Sequence, residues 1–490
     1  MNKQESLRPL MFVGTGSDVG KSVLTAAFGR LLLQEGYRPA PFKAQNMSLN
    51  SGASPEGLEM GRAQVVQAEA CGVTPSVHMN PILLKPTGEK VSQLVLLGKP
   101  AGDQSAQEYF NRDDRTALFQ MAMQSCHRLM EDYSPLLIEG AGSISEMNLW
   151  DRDITNLRVA EAVNAAVILV ADIDRGGVFG SVYGSIQLLP PNYRRLIKGI
   201  LINKFRGDAE LFEDGRRMLE ELTGVPVIGV MPYFRDIFIE QEDSVVLDHM
   251  KQRPQEGKIN VGVVALPHMA NFTDFDTLQQ LEEVQVFYVR QAKAVKDADI
   301  LLLPGSKSTI ADLLYLRQNG MEAAILQHHQ AHKPLYGICG GFQMMGQNIA
   351  DPHGVEGTVK EVKGLGVLPV NTKLGTDKKT EVCHFSFLDK PTVSGRGYEI
   401  HMGRTTGGEA LCRLGDGSRD GARLNERCWG TYIHGILDNE TVLQEILQIV
   451  RPGIQVKADY QAMKEKGFDQ LADLLRKHID LPYIYQLLHK

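Results

Sequence analysis

The sequence predicts an α/β protein with two successive domains, and both chain length and residue pattern lead to this prediction. The chain has 490 residues, more than a single domain usually holds. Short apolar runs rich in β-branched residues alternate with longer segments of helical periodicity, which is typical of mainly parallel sheets covered by helices on both faces. In the first half of the chain these runs lie at residues 10–13, 136–138, 166–170, 199–202 and 227–230.

A charged stretch that contains proline and glycine interrupts this pattern near the middle of the chain. We therefore predict a first domain over residues 1–233, a linker over 234–258, a second domain over 259–445 and a helical extension over 446–490. We expect the extension to pack against the second domain. The apolar runs of the second domain lie at residues 259–265, 284–289, 300–303 and 335–338.

The composition argues against several classes of protein. The net charge is −7, so the chain lacks the basic surface that nucleic-acid binding requires. No apolar run is long enough to span a bilayer, and the first residues do not resemble a signal peptide. Six cysteines without paired metal spacing indicate reduced thiols in a cytoplasmic protein. We expect no nucleic-acid or membrane partner. The sequence does not decide whether the protein forms a homo-oligomer.

A phosphate-binding loop is predicted near the start of the chain. The strand at 10–13 runs into the sequence GTGSDVGKS at 14–22, and a helical pattern follows. Backbone N–H groups of such a loop bind phosphates, the lysine reaches the β- and γ-phosphates, and the serine hydroxyl binds Mg²⁺. The spacing departs from the usual loop, and a glycine-rich turn without nucleotide is the alternative. The predicted ATP-binding residues of the loop are Gly14, Thr15, Gly16, Gly20, Lys21 and Ser22.

Two further strand ends extend the predicted nucleotide site. Glu139 ends the apolar run at 136–138 and precedes glycines, so we expect it to hold Mg²⁺ together with Ser22. A solvated carboxylate at a strand end is the alternative. Asn203 follows the strand at 199–202 and is predicted to face the ATP base, although a plain turn explains it equally well.

Cys339 has the surroundings of a catalytic nucleophile in the second domain. The sequence LYGICGGFQ predicts a strand, a sharp turn and a helix, with the cysteine at the turn. A helix N-terminus favours the reactive thiolate, and the Gly340 N–H would stabilise an oxyanion. Gly305, in a second glycine turn, is the candidate for the other oxyanion N–H. The alternative is a buried structural cysteine.

A cysteine nucleophile requires a base, and His434 is the predicted one. It follows Cys339 by about 95 residues, at the end of a short β-type run and before a glycine. His401, within the sequence GYEIHMG, is the competing candidate.

These motifs together resemble one enzyme family. The sequences GICGGFQMMG and YIHGI resemble the class I glutamine amidotransferase domain, and the phosphate loop is similar to that of dethiobiotin synthetase. The two in this order resemble the cobyric and cobyrinic acid amide synthases over essentially the whole chain. The sequences that favour the cobyric acid type lie at residues 42–51, 59–70, 79–86, 172–181, 202–208 and 397–405.

The resemblance implies a glutamine- and ATP-dependent amide ligase of cobalamin biosynthesis. Its first domain would be the ATP-dependent synthetase, and its second domain would release ammonia from glutamine. The implied reaction converts the b, d, e and g carboxylates of adenosylcobyrinic acid a,c-diamide to amides and gives adenosylcobyric acid. ATP, Mg²⁺ and glutamine, the ammonia donor, are the implied requirements. No tightly bound organic cofactor is expected.

In one position the sequence departs from the amidotransferase pattern. Class I members carry a glutamate two residues after the histidine, where this chain has Ile436. Glu399 is our candidate for a substitute that orients His434, and a cysteine–histidine dyad is the alternative. The candidates for corrin contact lie at 45–50 and 172–177, which ordinary loops would explain as well. They are Gln45, Asn46, Asp172 and Arg175.

Three other functions stay open at this point. One is the related enzyme that amidates the a and c carboxylates of cobyrinic acid. A second is amidation of another large polyacid, such as a cell-wall lipid precursor. The third is a P-loop partition-type ATPase whose second domain is inert. Glutaminase activity at Cys339 and His434 separates the ATPase from the enzymes.

Overall fold

The computed structural model describes residues 7–86, 91–105, 115–234, 236–240 and 253–489. Residues 235 and 241–252 of the predicted linker thus lie outside the described residues. A six-stranded parallel sheet forms the centre of the first domain, and its strands are buried on both faces. This explains their continuous apolar sequences. In spatial order the strands are Val227–Pro232, Ile197–Phe205, Ala166–Asp172, Leu10–Gly14, Leu136–Glu139 and Ala40–Phe42.

Helices cover both faces of this sheet, as the alternating pattern predicts. The strand that precedes the phosphate loop lies in the interior of the sheet, so the loop stands at the carboxyl edge between neighbouring strand ends, where ligands of such sheets bind. The helices are Lys21–Gln34, Arg62–Ala70, Arg115–Asp132, Leu157–Ala162, Val178–Gln187, Pro191–Arg194 and Glu213–Thr223, with short 3₁₀ helices at Val77–Met79, Met147–Arg152 and Ala209–Phe212.

An insertion after the second strand projects toward the second domain. It contains a β-hairpin, Ser51–Ala53 with Glu59–Gly61, that contacts the long strands of the second domain. Its Glu59 is buried and forms ion pairs with Lys85 of its own domain and Lys378 of the other. The insertion also contains a four-stranded sheet of Gln45–Met47, Ile82–Pro86, Val91–Leu96 and Lys99–Ser105.

The second domain has its own central sheet, parallel except for one edge strand. Its strand order is Val284–Val289, Ile259–Val264, Ile300–Leu303, Leu335–Ile338, Cys428–Thr431 and Ala422–Asn425. The helices around it are Asp276–Gln279, Thr309–Gln318, Met321–Gln330, Gly340–Met345 and Glu440–Gln448, with 3₁₀ helices at Phe272–Phe275, Ala292–Asp297 and Ile436–Asp438.

A second, mixed sheet faces the first domain. Its two long strands, Val370–Phe387 and Ser394–Gly407, pair antiparallel, and the short strand Ile433–His434 brings the predicted base to its edge. The remaining strands are Asn348–Ala350, Glu361–Lys363, Cys412–Leu414 and Arg419–Asp420, while Met269–Ala270 and Gly305–Ser306 form a separate two-stranded ribbon.

The C-terminal helices, Tyr460–His478 and Leu481–Leu488, return to the first domain. They share a hydrophobic core with the phosphate-loop helix Lys21–Gln34, and Arg30 of that helix pairs with Glu465 and Asp469. Our expectation that they pack against the second domain is therefore wrong. Helical periodicity identifies an apolar face, but it does not identify the surface that covers that face. Within the described ranges, each helix is too short or too polar to span a lipid bilayer.

The C-terminal helices should contribute to the stability of the first domain. Leu475 is fully buried in the shared core, so Leu475→Ala is expected to lower the free energy of unfolding by about 2–5 kcal/mol. Chemical denaturation followed by circular dichroism measures this change. Lys477→Ala, on the exposed face of the same helix, is the control and should have little effect. Equal stability of the two variants would contradict the packing described here.

Candidate active sites

Cys339 occupies a strained turn between a buried strand and a helix. It follows Leu335–Ile338 and precedes Gly340–Met345, with φ 52° and ψ −108°, a conformation that non-glycine residues rarely adopt. The flanking glycines are required by close packing. A Cβ on Gly341 would lie 2.1 Å from the Leu303 carbonyl oxygen, and one on Gly340 would lie 2.7 Å from the Ser306 nitrogen. This is the local geometry of a nucleophile elbow.

The structure brings His434 to Cys339 and adds a carboxylate. The imidazole lies beside the Cys339 side chain, because both have atoms within 4 Å of the position that a Cβ on Gly305 would take. The ring Nδ1 lies 2.8 Å from Oδ2 of Asp274. The other Asp274 oxygen accepts the Gly435 N–H at 2.8 Å, which fixes the carboxylate plane. Asp274 and His434 are each 2% exposed. The three side chains form a cysteine–histidine–aspartate arrangement, in which the aspartate orients the ring.

The expectation that Glu399 orients His434 is wrong. Glu399 forms an ion pair with Lys379 and lies 3.4 Å from the His401 Nε2 atom. Asp274 takes the expected position instead, although it lies 160 residues before His434 in the chain. No motif spacing connects the two residues, so only the folded chain identifies the pair.

The electrostatic environment favours a charged imidazole. Burial disfavours the imidazolium form, but the Asp274 carboxylate and the Cys339 sulfur outweigh burial and raise the pKa of His434 to about 10. At neutral pH the ring is therefore a proton donor beside the sulfur. The pKa of His434 is raised above its ordinary value of 6.5, so the charged ring stabilises the folded state. This stabilisation is complete below pH 6.5 and is lost as pH rises through about 10.

A cavity of about 370 Å³ is lined by Cys339 and His434. Gly305 borders it, and a Cβ there would lie 3.2 Å from the His434 Cε1 atom, so its backbone is adjacent to the reacting groups. The oxyanion role of Gly305 and Gly340 stays a prediction. His401 also borders the cavity, but its Nδ1 bonds the Gly403 carbonyl oxygen at 2.8 Å and its ring stacks on Tyr432.

The predicted phosphate loop has the expected course. The Thr15 N–H donates to the Val170 carbonyl oxygen at 3.0 Å, and Gly20 begins the following helix with φ 98°. The Lys21 ammonium donates to the carbonyl oxygens of Gly16 at 2.9 Å and Gly142 at 3.1 Å, so it is held over the loop. Gly14 also requires glycine, because a Cβ there would lie 2.6 Å from the Gly16 carbonyl oxygen.

Glu139 lies beside the loop serine, as the sequence predicts for a magnesium site. The Ser22 hydroxyl donates to Glu139 Oε1 at 2.9 Å, and the Lys43 ammonium lies 2.7 Å from the same oxygen. Gln67 Nε2 donates to the other carboxylate oxygen at 2.6 Å. A hydroxyl and a carboxylate beside a phosphate loop are the oxygen donors that Mg²⁺ takes alongside phosphates and water, so the residues fit this ion.

Asn203 supports the loop from below. Its Nδ2 donates to the Val19 carbonyl oxygen at 2.8 Å, and a Cβ on Gly20 would lie 2.2 Å from that nitrogen. Asn203 is therefore packed against the loop backbone. Its predicted contact with the ATP base stays a prediction.

The candidate substrate residues gather around a cavity of about 880 Å³ that the phosphate loop also lines. Asp172 bonds the Lys204 ammonium at 2.9 Å and lies 3.8 Å from Nε of the largely exposed Arg175. Gln45 and Asn46 line the same cavity, and the Asn46 side chain donates to Gln64 Oε1 at 3.0 Å. The arrangement places amide, carboxylate and guanidinium groups around one space large enough for a bulky ligand.

Comparison with known proteins assigns both halves of the chain. Residues 10–245 match the CobQ/CobB/MinD/ParA nucleotide binding domain, and residues 260–442 match the CobB/CobQ-like glutamine amidotransferase domain. Cobyric acid synthase of Parabacteroides distasonis is 54% identical, with 98% of this chain and 99% of the relative covered. Cobyric acid synthase of Bacteroides fragilis is 53% identical, with 100% of this chain and 99% of the relative covered. The enzyme of that name from Salmonella heidelberg is 43% identical, with 98% of each chain covered.

Removal of the Asp274 charge should impair glutamine hydrolysis. In Asp274→Asn the imidazole loses the carboxylate that offsets burial, so the pKa of His434 should fall and the rate should drop by about 100-fold or more. Steady-state hydrolysis measured across neutral pH tests both effects. Glu399→Gln is the matched control, because Glu399 is equally buried but does not contact His434. An unchanged rate and pH profile in Asp274→Asn would contradict the triad.

Glu139→Gln should weaken the use of magnesium. The amide keeps the shape of the side chain but removes the charge beside Ser22, so the Mg²⁺ concentration for half-maximal synthesis should rise by about 10- to 100-fold. A Mg²⁺ titration at fixed ATP measures the change. Glu131→Gln, on an exposed helix surface, is the control. An unchanged titration curve in Glu139→Gln would remove this residue from the magnesium site.

Proposed function

The chain belongs to the cobyric acid synthase family, and we propose that it amidates the b, d, e and g carboxylates of adenosylcobyrinic acid a,c-diamide to give adenosylcobyric acid. Each step uses one glutamine and one ATP. The observation that carries this proposal is that one chain holds a phosphate loop beside a carboxylate and, in its second domain, a cysteine, a histidine and an aspartate side by side.

The phosphate loop activates the corrin carboxylate. A carboxylate is a poor electrophile, and transfer of the γ-phosphoryl group from ATP converts it to an acyl phosphate with ADP as the leaving group. Lys21 and the loop N–H groups stabilise the charge on the phosphoryl oxygens. Ser22 and Glu139 are the residues that would hold Mg²⁺, and the bound ion would neutralise negative charge on the phosphates.

The triad releases ammonia from glutamine. The Cys339 thiolate attacks the side-chain amide carbon, and the N–H groups of Gly340 and Gly305 stabilise the tetrahedral oxyanion. His434 donates its proton to the leaving nitrogen, so ammonia departs and a thioester remains. His434 then takes a proton from water, and hydroxide attack on the thioester gives glutamate and the free thiol. Asp274 holds the ring in position throughout.

Ammonia must reach the acyl phosphate before it is protonated in bulk water. The triad cavity lies at the boundary of the domains, because Lys85 and Val91 of the first domain line it together with Cys339. This arrangement supports direct delivery between the two centres. Attack of ammonia on the acyl carbon forms the amide and expels phosphate.

The partners that follow from this proposal are small molecules: the corrinoid, glutamine and ATP. We place the enzyme in the cytoplasm. All six cysteines are buried and unpaired, which supports a reducing compartment.

Two substitutions should separate the half-reactions. Cys339→Ala should abolish glutamine-dependent amidation but retain synthesis from high ammonium concentrations, because ammonia bypasses the thiol. Lys21→Ala should abolish both, since each needs phosphoryl transfer. Mass spectrometry of the corrin product counts the amides, because each step replaces a carboxyl hydroxyl with an amino group.

The same assay distinguishes the related reactions. Four added amides are expected on the a,c-diamide, whereas an enzyme for the a and c positions would act on cobyrinic acid and stop after two. If Cys339→Ala lost glutamine-dependent and ammonium-dependent amidation equally, the assignment of the two half-reactions to separate centres would be contradicted. Formation of AMP rather than ADP would replace the acyl phosphate by an adenylate.

A further inference from the structure

Two reciprocal hydrogen bonds join the domains beside the triad. Asn50 of the first domain accepts the Phe272 N–H through Oδ1 at 3.2 Å, and Asn271 of the second accepts the Ser51 N–H through Oδ1 at 3.1 Å. Asn50 is 1% exposed and Asn271 is 4% exposed. Each side chain thus satisfies a buried backbone donor of the other domain, which fixes the two segments relative to each other.

The second-domain side of this pair leads directly to Asp274. Asn271 has a left-handed backbone, with φ 53° and ψ 46°, and precedes the 3₁₀ turn Phe272–Phe275 that carries the aspartate. The Phe272 N–H is at the free beginning of this turn, where no intrahelical acceptor exists. Asn50 supplies that acceptor, so a residue of the first domain holds the turn whose side chain orients His434.

The first-domain side leads to the large cavity. Gln45 and Asn46 line that cavity, and a short segment connects them to Asn50. The segment is fixed at its end, because Ser48 Oγ accepts the Asn50 N–H at 3.0 Å and the Asn50 carbonyl oxygen accepts the Arg62 N–H at 3.1 Å. Residues 45–50 thus form a short, hydrogen-bonded path from the lining of the cavity to Asn50.

We infer that Asn50 and Asn271 are positioning residues that link occupancy of the phosphate-loop cavity to the orientation of Asp274, and so to glutamine hydrolysis. The inference rests on the proposed function. The advantage of such a link is that ammonia is released when an activated carboxylate is present, and glutamine is spared otherwise.

Substitutions at Asn271 test the link because its backbone conformation restricts the choice of residue. Glycine at position 271 adopts a positive φ but lacks the side-chain oxygen that accepts the Ser51 N–H. In Asn271→Asp, aspartate tolerates the positive φ and keeps an accepting oxygen. In Asn271→Gly we expect kcat for glutamine hydrolysis to fall on the order of tenfold, with a smaller change in KM. The stimulation of hydrolysis by ATP and corrinoid should also fall. Asn271→Asp should restore most of both, and synthesis from ammonium should be unchanged in either variant.

A second pair of variants and a double-mutant cycle complete the test. Asn50→Ala should lower glutamine hydrolysis and its stimulation as Asn271→Gly does, and Asn50→Asp should retain hydrolysis because its carboxylate still accepts the Phe272 N–H. In an Asp274→Asn background, Asn271→Gly should have little further effect, since both changes act through one group. Arg30→Ala, which breaks contacts of the first domain with the C-terminal helices, is the control.

Three results would overturn the inference. The first is full hydrolysis and full stimulation in Asn271→Gly. The second is an effect of Asn271→Gly that adds to that of Asp274→Asn. The third is a parallel fall in synthesis from ammonium, which would indicate a general folding role. Failure of the proposed function is distinguishable from these, because the wild-type protein would then lack glutamine hydrolysis or amide formation.

Discussion

The hydrogen bond between Asp274 and His434 is the interaction on which the amidotransferase half depends. It compensates for the cost of removing a charged imidazole from water, since a buried imidazolium without a partner would lose its proton. Without it the imidazole would be free to rotate and to lose its charge beside the sulfur. The strained turn and the packed glycines position the Cys339 sulfur, but the sulfur can react only if this ring stays beside it.

Both domains follow the same rule of placement. Cys339 and Lys21 each follow an interior strand of a parallel sheet and stand at its carboxyl edge, where loop backbone is free to bind ligands. The hairpin Ser51–Ala53 with Glu59–Gly61 joins the first domain to the mixed sheet of the second through the buried ion pair of Glu59 with Lys378. A chain with two chemistries thus needs little beyond two similar sheets and one connecting insertion.

The sequence alone predicted those parts that depend on neighbouring residues. The fold class is confirmed, because apolar strands and glycine loops carry their signals within short windows. The structure also places Glu139 at Ser22 and His434 at Cys339, as their strand-end positions suggest. Asp274 was missed because its partner is remote in the chain, and two buried carboxylates near a histidine are indistinguishable until the backbone is folded.

The surface that the C-terminal helices cover was missed for a related reason. Their apolar periodicity predicts burial, but many apolar surfaces compete for such a face, and the choice depends on shape and on pairs such as Arg30 with Glu465. Long-range choices of this kind are decided by tertiary packing.

The return of the helix Tyr460–His478 to the first domain has a consequence for biosynthesis on the ribosome. The hydrophobic core around the phosphate-loop helix includes side chains that are translated only after the whole amidotransferase half. Domains generally fold as units while the chain emerges. Here the half that is made first waits, with part of its apolar surface uncovered, until the half that is made second has left the exit tunnel. Synthesis of the first half thus begins first, but its core is completed last.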